Sequence, residues 1–256
     1  MRAGEERVGV TLIANAGLLL EYRGMKLLLD GIFSGEGHPF GAIPEELWER
    51  ELSGQPPFDG VQYLLFTHRH PDHFSLPLTR EYLRRNAVKG VLMPERAYGG
   101  EPEELPENGK TARVPLPADA GQAVFRLRED ISVQVIRTRH LDKRFIEVEH
   151  CCYLISFGEK RLLFTGDADY VTESFDLLRD IRLDAVFLNP LFFSAVCRGR
   201  FFTGSFDTGL YCVYHLPPAG EDAMTSNRSV LRELERWDER RGRAVILNES
   251  NRSLEI

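Results

Sequence analysis

Short apolar runs, either alternating with polar residues or unbroken, recur along the chain at the length of β-strands. They predict strands over residues 8–14, 18–22 and 26–30, with Gly17 and Arg23-Gly24 as the turns between them. Further strands are predicted over 61–66, 88–93, 124–127, 131–138, 152–157, 161–165, 184–188, 211–214 and 244–247, with a short one near 112–116. The alternation is plainest where Ile131, Val133 and Val135 face away from Ser132 and Gln134. The segments 152–157 and 161–165, joined by Gly158-Glu159-Lys160, read as a tight hairpin. Helical spacing appears over 44–52, 76–86, 171–181 and 229–241. In the last of these, Val230, Leu231, Leu234 and Trp237 form one apolar stripe with charge opposite it.

Two stretches break the pattern. Residues 31–58 are rich in Gly and Pro and carry Phe33, His38, Phe40, Trp48 and Phe58. They read either as a lid or binding loop, or as a surface excursion covering the core edge. Residues 191–208 hold Phe192, Phe193, Phe201, Phe202 and Phe206 around a Gly-containing turn. These aromatics wall a pocket or belong to the core.

The strand over 61–66 runs into Thr67-His68-Arg69-His70-Pro71-Asp72-His73-Phe74. His68, His70 and Asp72 fall at every second position, so an extended backbone points them the same way. Pro71 helps keep His70 extended. His73 points elsewhere. Two ligand sets facing two directions suit two adjacent metal ions, and imidazole with carboxylate suits catalytic zinc. A solvated loop is the alternative.

A pair of ions about 3.5–4 Å apart needs further donors. Asp167, at a strand exit after Gly166, is a candidate bridging carboxylate. Its other reading is a helix N-cap, a role Asp169 can fill instead. His140 and His215 also follow apolar strands, whose ends converge at one edge of a layered fold. His150 is a rival to His140, but it begins its strand and is expected at the opposite edge. Asp30 reads equally as a carboxylate that orients a ligand histidine and as a turn residue before Gly31. Asp72 is the candidate catalytic residue, orienting the nucleophile or shuttling a proton. His38 is a candidate substrate contact.

The chain has 256 residues, 43% of them hydrophobic and 28% charged, which allows one large α/β domain or two small ones. The net charge of -7, from 32 basic and 39 acidic side chains, argues against a broad nucleic-acid footprint. Arg137, Arg139, Lys143, Arg144, Arg198 and Arg200 are the cations a phosphodiester would meet near the site; they also read as a solvated charged rim. No apolar run reaches the length of a membrane span. The charged residues Met1 to Arg7 lack the apolar stretch that makes a secretory signal. Cys151, Cys152, Cys197 and Cys212 form no CxxC pair and are expected as buried free thiols in a reducing cytoplasm.

His-Arg-His-Pro-Asp-His at 68–73 matches the HxHxDH motif of the metallo-β-lactamase-fold hydrolase superfamily. Thr165-Gly166-Asp167 behind its hairpin matches that family's second signature. The chain resembles the family from about Val8 to His215, with His140 and His215 fitting by order and strand-end position. The resemblance implies an α/β fold, an αβ/βα four-layer sandwich of two mixed β-sheets face to face with helices outside, in a single domain over 1–256. It implies His68, His70 and His140 on one metal, Asp72, His73 and His215 on the second, and Asp167 bridging. Two Zn2+ ions are the expected cofactors, with Mn2+ or Fe as alternatives.

True β-lactamases of the family place a Cys in the second site and lack the bridging Asp. The flavodiiron oxygen reductases replace the second His of the motif with an acid. This chain does neither, and its layout is most similar to the L-ascorbate-6-phosphate lactonase-like branch. The tRNA 3′-processing endonucleases share the ligands but usually carry an RNA-gripping arm that is not found here. The expected function is a cytoplasmic dinuclear zinc hydrolase, in which hydroxide between the ions attacks a small-molecule ester, lactone or phosphoester. A metal-dependent phosphodiesterase or nuclease is the first alternative. A non-catalytic metal-binding or sensing module is the second.

Overall fold

The computed structural model describes residues 6–37, 40–94, 105, 112–115, 122–171, 173–201, 206–217, 222 and 225–256. The first sheet takes β1 (Gly9–Leu12), β2 (Leu18–Tyr22), β3 (Met25–Leu29), β4 (Val61–Leu65), β5 (Gly90–Met93) and β6 (Ala112–Pro115), side by side in that order. β1 to β3 are antiparallel, and β3 to β6 are parallel. The second sheet takes β7 (Gln122–Arg128), β8 (Ile131–Thr138), β9 (His150–Phe157), β10 (Lys160–Phe164), β11 (Ala185–Leu188), β12 (Leu210–Val213) and β13 (Arg243–Ile246), again in order. β7 to β10 are antiparallel and β10 to β13 parallel. A last strand, β14 (Ser253–Glu255), returns to the first sheet and pairs with β1.

Three apolar layers fix the architecture. The central layer joins inward side chains of both sheets, such as Leu18, Leu20, Leu27 and Leu29 with Val133, Tyr153, Phe164 and Phe187. Beneath the first sheet, Leu19, Leu28 and Leu64 meet Leu47 and Leu52 of α1 (Glu45–Leu52) and Tyr82 and Leu83 of α2 (Leu76–Arg85). Beneath the second, Leu154, Leu163 and Val186 meet Phe192, Phe193 and Val196 of α3 (Pro190–Cys197) and Val230 of α4 (Ser226–Leu234). Helix, sheet, sheet, helix is thus the layer order. It explains why β2 and β3 are almost continuously apolar: each is covered on both faces.

Several elements differ from the expectation. Residues 171–181 form only a 3-10 turn, Glu173–Leu178. The aromatic run after 190 opens with α3, capped by Asn189, whose Oδ1 accepts the Phe192 N–H at 2.9 Å. A buried apolar helix has no polar face, so periodicity does not reveal it. Phe192, Phe193, Phe201 and Phe206 are core, as are Phe33 and Phe58 of the earlier irregular stretch. The helix near 229 starts at Ser226 and ends at Leu234, and the strand near 244 is followed by β14. Cys151, Cys152 and Cys212 are buried free thiols, and Cys197 is half-buried and free. Among the described residues no helix is long and apolar enough to cross a membrane.

Candidate metal centre

Strand direction brings the chemistry to one rim. β3 and β4 are parallel, so Asp30 and the segment from Thr67 leave the first sheet together. β8 and β10 both run antiparallel to β9. Their ends, leading to His140 and Asp167, therefore lie beside the start of β9, which is His150. β11 and β12, parallel to β10, deliver Asn189 and His215 to the same edge. The sheets are tied at this rim, where Cys151 N–H donates to Thr67 O at 2.9 Å and Tyr153 O–H to Phe66 O at 2.7 Å.

The donors meet closely. His68 Nε2 and His70 Nδ1 are 3.0 Å apart, and His73 Nε2 and His215 Nε2 are 2.9 Å apart. The His140 ring stands 4.7 Å from that of His70 and 5.2 Å from that of His68. Asp167 lies between the halves, with Oδ2 3.7 Å from His140 Nε2 and Oδ1 3.4 Å from His215 Nε2. Asp72 Oδ2 is 3.5 Å from His215 Nε2. Three overlapping groups result: His68, His70 and His140; His68, His73 and Asp167; Asp72, His73 and His215. Within each, the ligand atoms all lie within 4.8 Å of one another. His38 lies outside the described residues.

Around the donors sits a hydrogen-bonded frame. Asp30 is fully buried; it accepts the Thr67 N–H and hydroxyl, each at 2.7 Å, and lies 2.9 Å from His73 Nδ1. This is the orienting role, not merely that of a turn residue. Asn15 Nδ2 donates to Asp72 O at 2.8 Å, and Asn189 Nδ2 to Gly166 O at 2.9 Å. Asn15, Asp30 and His215 all have positive φ, of 46°, 48° and 57°. Such strain in non-glycine residues concentrates at functional sites. Gly166 has φ +51°, and a Cβ there would sit 2.9 Å from Thr67 side-chain atoms, so the turn into Asp167 requires glycine.

His150 corrects the expectation. It lies at the rim, not the opposite edge, because an antiparallel strand starts where its neighbours end. Its Nε2 accepts the Asp167 N–H at 3.0 Å, and its Nδ1 is 2.7 Å from Thr138 Oγ1. Asp167 is not a helix cap; Asp169 accepts the Val171 N–H at 2.9 Å ahead of the 3-10 turn. Sequence reasoning missed Asn15 and Asn189, whose only signal was an Asn at a strand exit.

The donor chemistry fits cations. Burial, with the neighbouring His73 and His150, pushes His68 well below its usual pKa. Burial and His140 take His70 down to about 4. Both imidazoles are thus neutral, with lone pairs to give. Burial opposes charge on His73, but Asp72, Asp30 and the bonds to Asp167 and Asp30 outweigh it and raise its pKa well above the usual value. Burial likewise works against an ionised Asp167, yet His215, His140 and His73 hold its carboxyl well below the usual range. The pocket favours positive charge among three carboxylates. His140 Nε2, also buried, makes no hydrogen bond among the described residues.

Four of the donors, His70, His140, Asp167 and His215, floor an open cleft of about 410 Å³, which Phe40 of the irregular stretch also lines, edge-on to His215 at 4.3 Å. Arg144, which lines the cleft, pairs with Asp142 at 2.6 Å; of the other cations named above, Arg137 pairs with Glu149 at 2.6 Å, Arg139 with Asp169 at 3.4 Å and Arg198 with Glu233 at 2.7 Å.

A four-layer sandwich with imidazoles and carboxylates gathered at one rim is the architecture of the metallo-β-lactamase fold, with a candidate metal centre at its usual edge. The sequence matches the beta-lactamase superfamily domain over residues 29–218, and the chain belongs to that family. A comparison with curated proteins gives no significant match. Among solved structures, the chain is similar to the metallo-beta-lactamase fold protein YhfI from Bacillus subtilis at 14% identity and TM-score 0.59, covering 98% of this chain and 100% of that one. Yeast PDE1 matches at 13% identity and TM-score 0.64, covering 98% and 99%. CmlA, a diiron beta-hydroxylase from Streptomyces venezuelae, matches at 18% identity and TM-score 0.60, covering 99% of this chain and 55% of CmlA. At these identities the likeness concerns the fold.

Proposed function

We propose that the chain is a dinuclear metal-dependent hydrolase of small molecules. In this reading His68, His70 and His140 hold one ion, Asp72, His73 and His215 hold the other, and Asp167 is shared. The observation that carries it is the overlap of three donor groups, each within 4.8 Å, four of whose members, His70, His140, Asp167 and His215, open into a cleft. Two divalent ions held there, zinc first and Mn or Fe as alternatives, would acidify an attacking water and polarise a substrate oxygen.

The chain's own groups organise that chemistry. Asp30 accepts from His73 Nδ1 and so aims its Nε2 into the site, where a bound cation would take the place of the proton that the carboxylates hold there. Asn15 fixes the backbone of Asp72, and Asn189 the turn that carries Asp167. In this reading Asp72, buried beside the donors, would orient the attacking water or take its proton and return it to the leaving group. The opening of the site into a cleft supports catalysis over a sensing role, since structural zinc cages are closed. The carboxylate-paired arginines and the net charge of -7 count against a nuclease.

The test is turnover of esters, lactones, thioesters and phosphodiesters by metal-loaded protein, with Asp167→Asn alongside. The expected result is activity on an acyl substrate that the variant reduces by about 100-fold or more, together with weaker metal retention. Full activity and metal retention in the variant would remove Asp167 from the centre.

A further inference from the structure

We infer that the cleft takes an uncharged acyl substrate with a compact apolar body, seated against Phe40, Leu141, Phe145, Pro190 and Leu191. The inference rests on the hydrolase reading, in which water adds across the acyl C–O bond to give an acid and an alcohol. The volume, about 410 Å³, suits one small molecule.

Above the floor the walls divide by chemistry. Phe145 stands edge-on to His70 at 4.6 Å and to His140 at 5.4 Å. Phe40 stands edge-on to His215 at 4.3 Å. One ring therefore flanks each half of the donor cluster. Leu191, which lines the cleft at the start of α3, is 59% exposed. Few large apolar side chains among the described residues are this exposed. Apolar side chains held in water at a cleft mouth gain from being covered by an apolar ligand.

Two polar groups of the wall, Arg144 and Asn189, are already engaged. Arg144, the cation lining the cleft, directs Nε and Nη2 to Asp142 Oδ2 at 3.0 and 2.6 Å. Asp142 lines the same wall, so the pair presents little net charge. Asn189 is engaged with Gly166 O and the Phe192 N–H. A phosphate or carboxylate at Arg144 would share the guanidinium with Asp142 and face its charge, a like-charge cost that a neutral substrate avoids; because Arg144 is largely exposed, that cost is modest and the apolar walls carry the preference.

The experiment compares 4-nitrophenyl phenylacetate and hexanoate with the 4-nitrophenyl hemisuccinate and bis(4-nitrophenyl) phosphate, using metal-loaded wild type, Phe145→Ala and Leu191→Asp. Leu191 is exposed and Asp is favourable at a helix start, so that variant keeps its fold. The inference expects kcat/KM at least about tenfold higher for the two apolar esters, an advantage that Leu191→Asp narrows several-fold. A preference for the hemisuccinate or the phosphodiester would overturn it. Calorimetric binding of phenylacetamide reads the cleft without turnover. The expected result is binding that Phe145→Ala weakens by about tenfold. No binding, or binding that both variants leave unchanged, overturns the inference. If every ester is inert while phenylacetamide binds as expected, the hydrolase reading fails and the description of the cleft stands.

Discussion

The backbone N–H of Asp167 donates to His150 Nε2, which places the proton of the neutral ring on Nδ1, facing Thr138 Oγ1. Burial, aided by His140, keeps the ring neutral by lowering its pKa. His150 therefore fixes the turn that carries the shared carboxylate. His150→Leu removes the acceptor and should weaken metal retention by about 10- to 100-fold, whereas His150→Gln, which keeps an acceptor, should lose less. Metal titration of both variants checks this; equal losses would contradict it. Gly166→Ala should be as damaging. Its Cβ would press on Thr67, which holds Asp30 and sits 3.1 Å from His68 Nδ1, so metal retention and turnover should both fall at least about tenfold. Wild-type metal retention and turnover in this variant would contradict that account. His68 to His73 were legible because their spacing is local, and Asp30 was half-legible as a carboxylate at a strand exit. Asn15, His150 and Asn189 were not. A single Asn or His gives no pattern, and its role follows from the register of strands far apart in sequence.

α1 carries a carboxyl, Glu51, that is fully buried against α2 and whose two oxygens have no hydrogen-bond partner among the described residues. Burial raises its pKa well above 4.5. The native state thus holds this proton to a higher pH than the unfolded chain does. Its stabilising effect is present in full below about 4.5, the unfolded value, and is lost as pH rises through the raised native value. Glu51→Met fills similar volume without the carboxyl. It should raise stability by about 1–3 kcal/mol at pH 8 and by little at pH 4, measured by urea unfolding at both values. An equal gain at both would contradict the cause given. At this scale the alternating strands were the most legible elements, Ile131–Thr138 among them. α3 was hidden because apolar side chains surround it, and β14 because three residues are too few to show a period.

Seen whole, the molecule pairs a sandwich of two sheets with a surface of net charge -7. An uncharged substrate should then give a kcat/KM that changes less than about twofold between about 50 and 200 mM salt, while a nucleic-acid ligand would lose about a thousandfold or more in affinity over that range. Strand lengths and the donor motif were legible in the sequence, and the layer order followed from the resemblance they carried. The rim position of β9's first residue was not, because it depends on which neighbours the strand pairs with and in which direction. If seven side chains from both sheets hold two ions together, protein loaded with excess Zn2+ and freed of unbound metal should contain, by elemental analysis, about two ions per chain, falling to about one in His215→Ala. A wild-type chain that retains one ion or none, or a variant that still retains two, would contradict that arrangement.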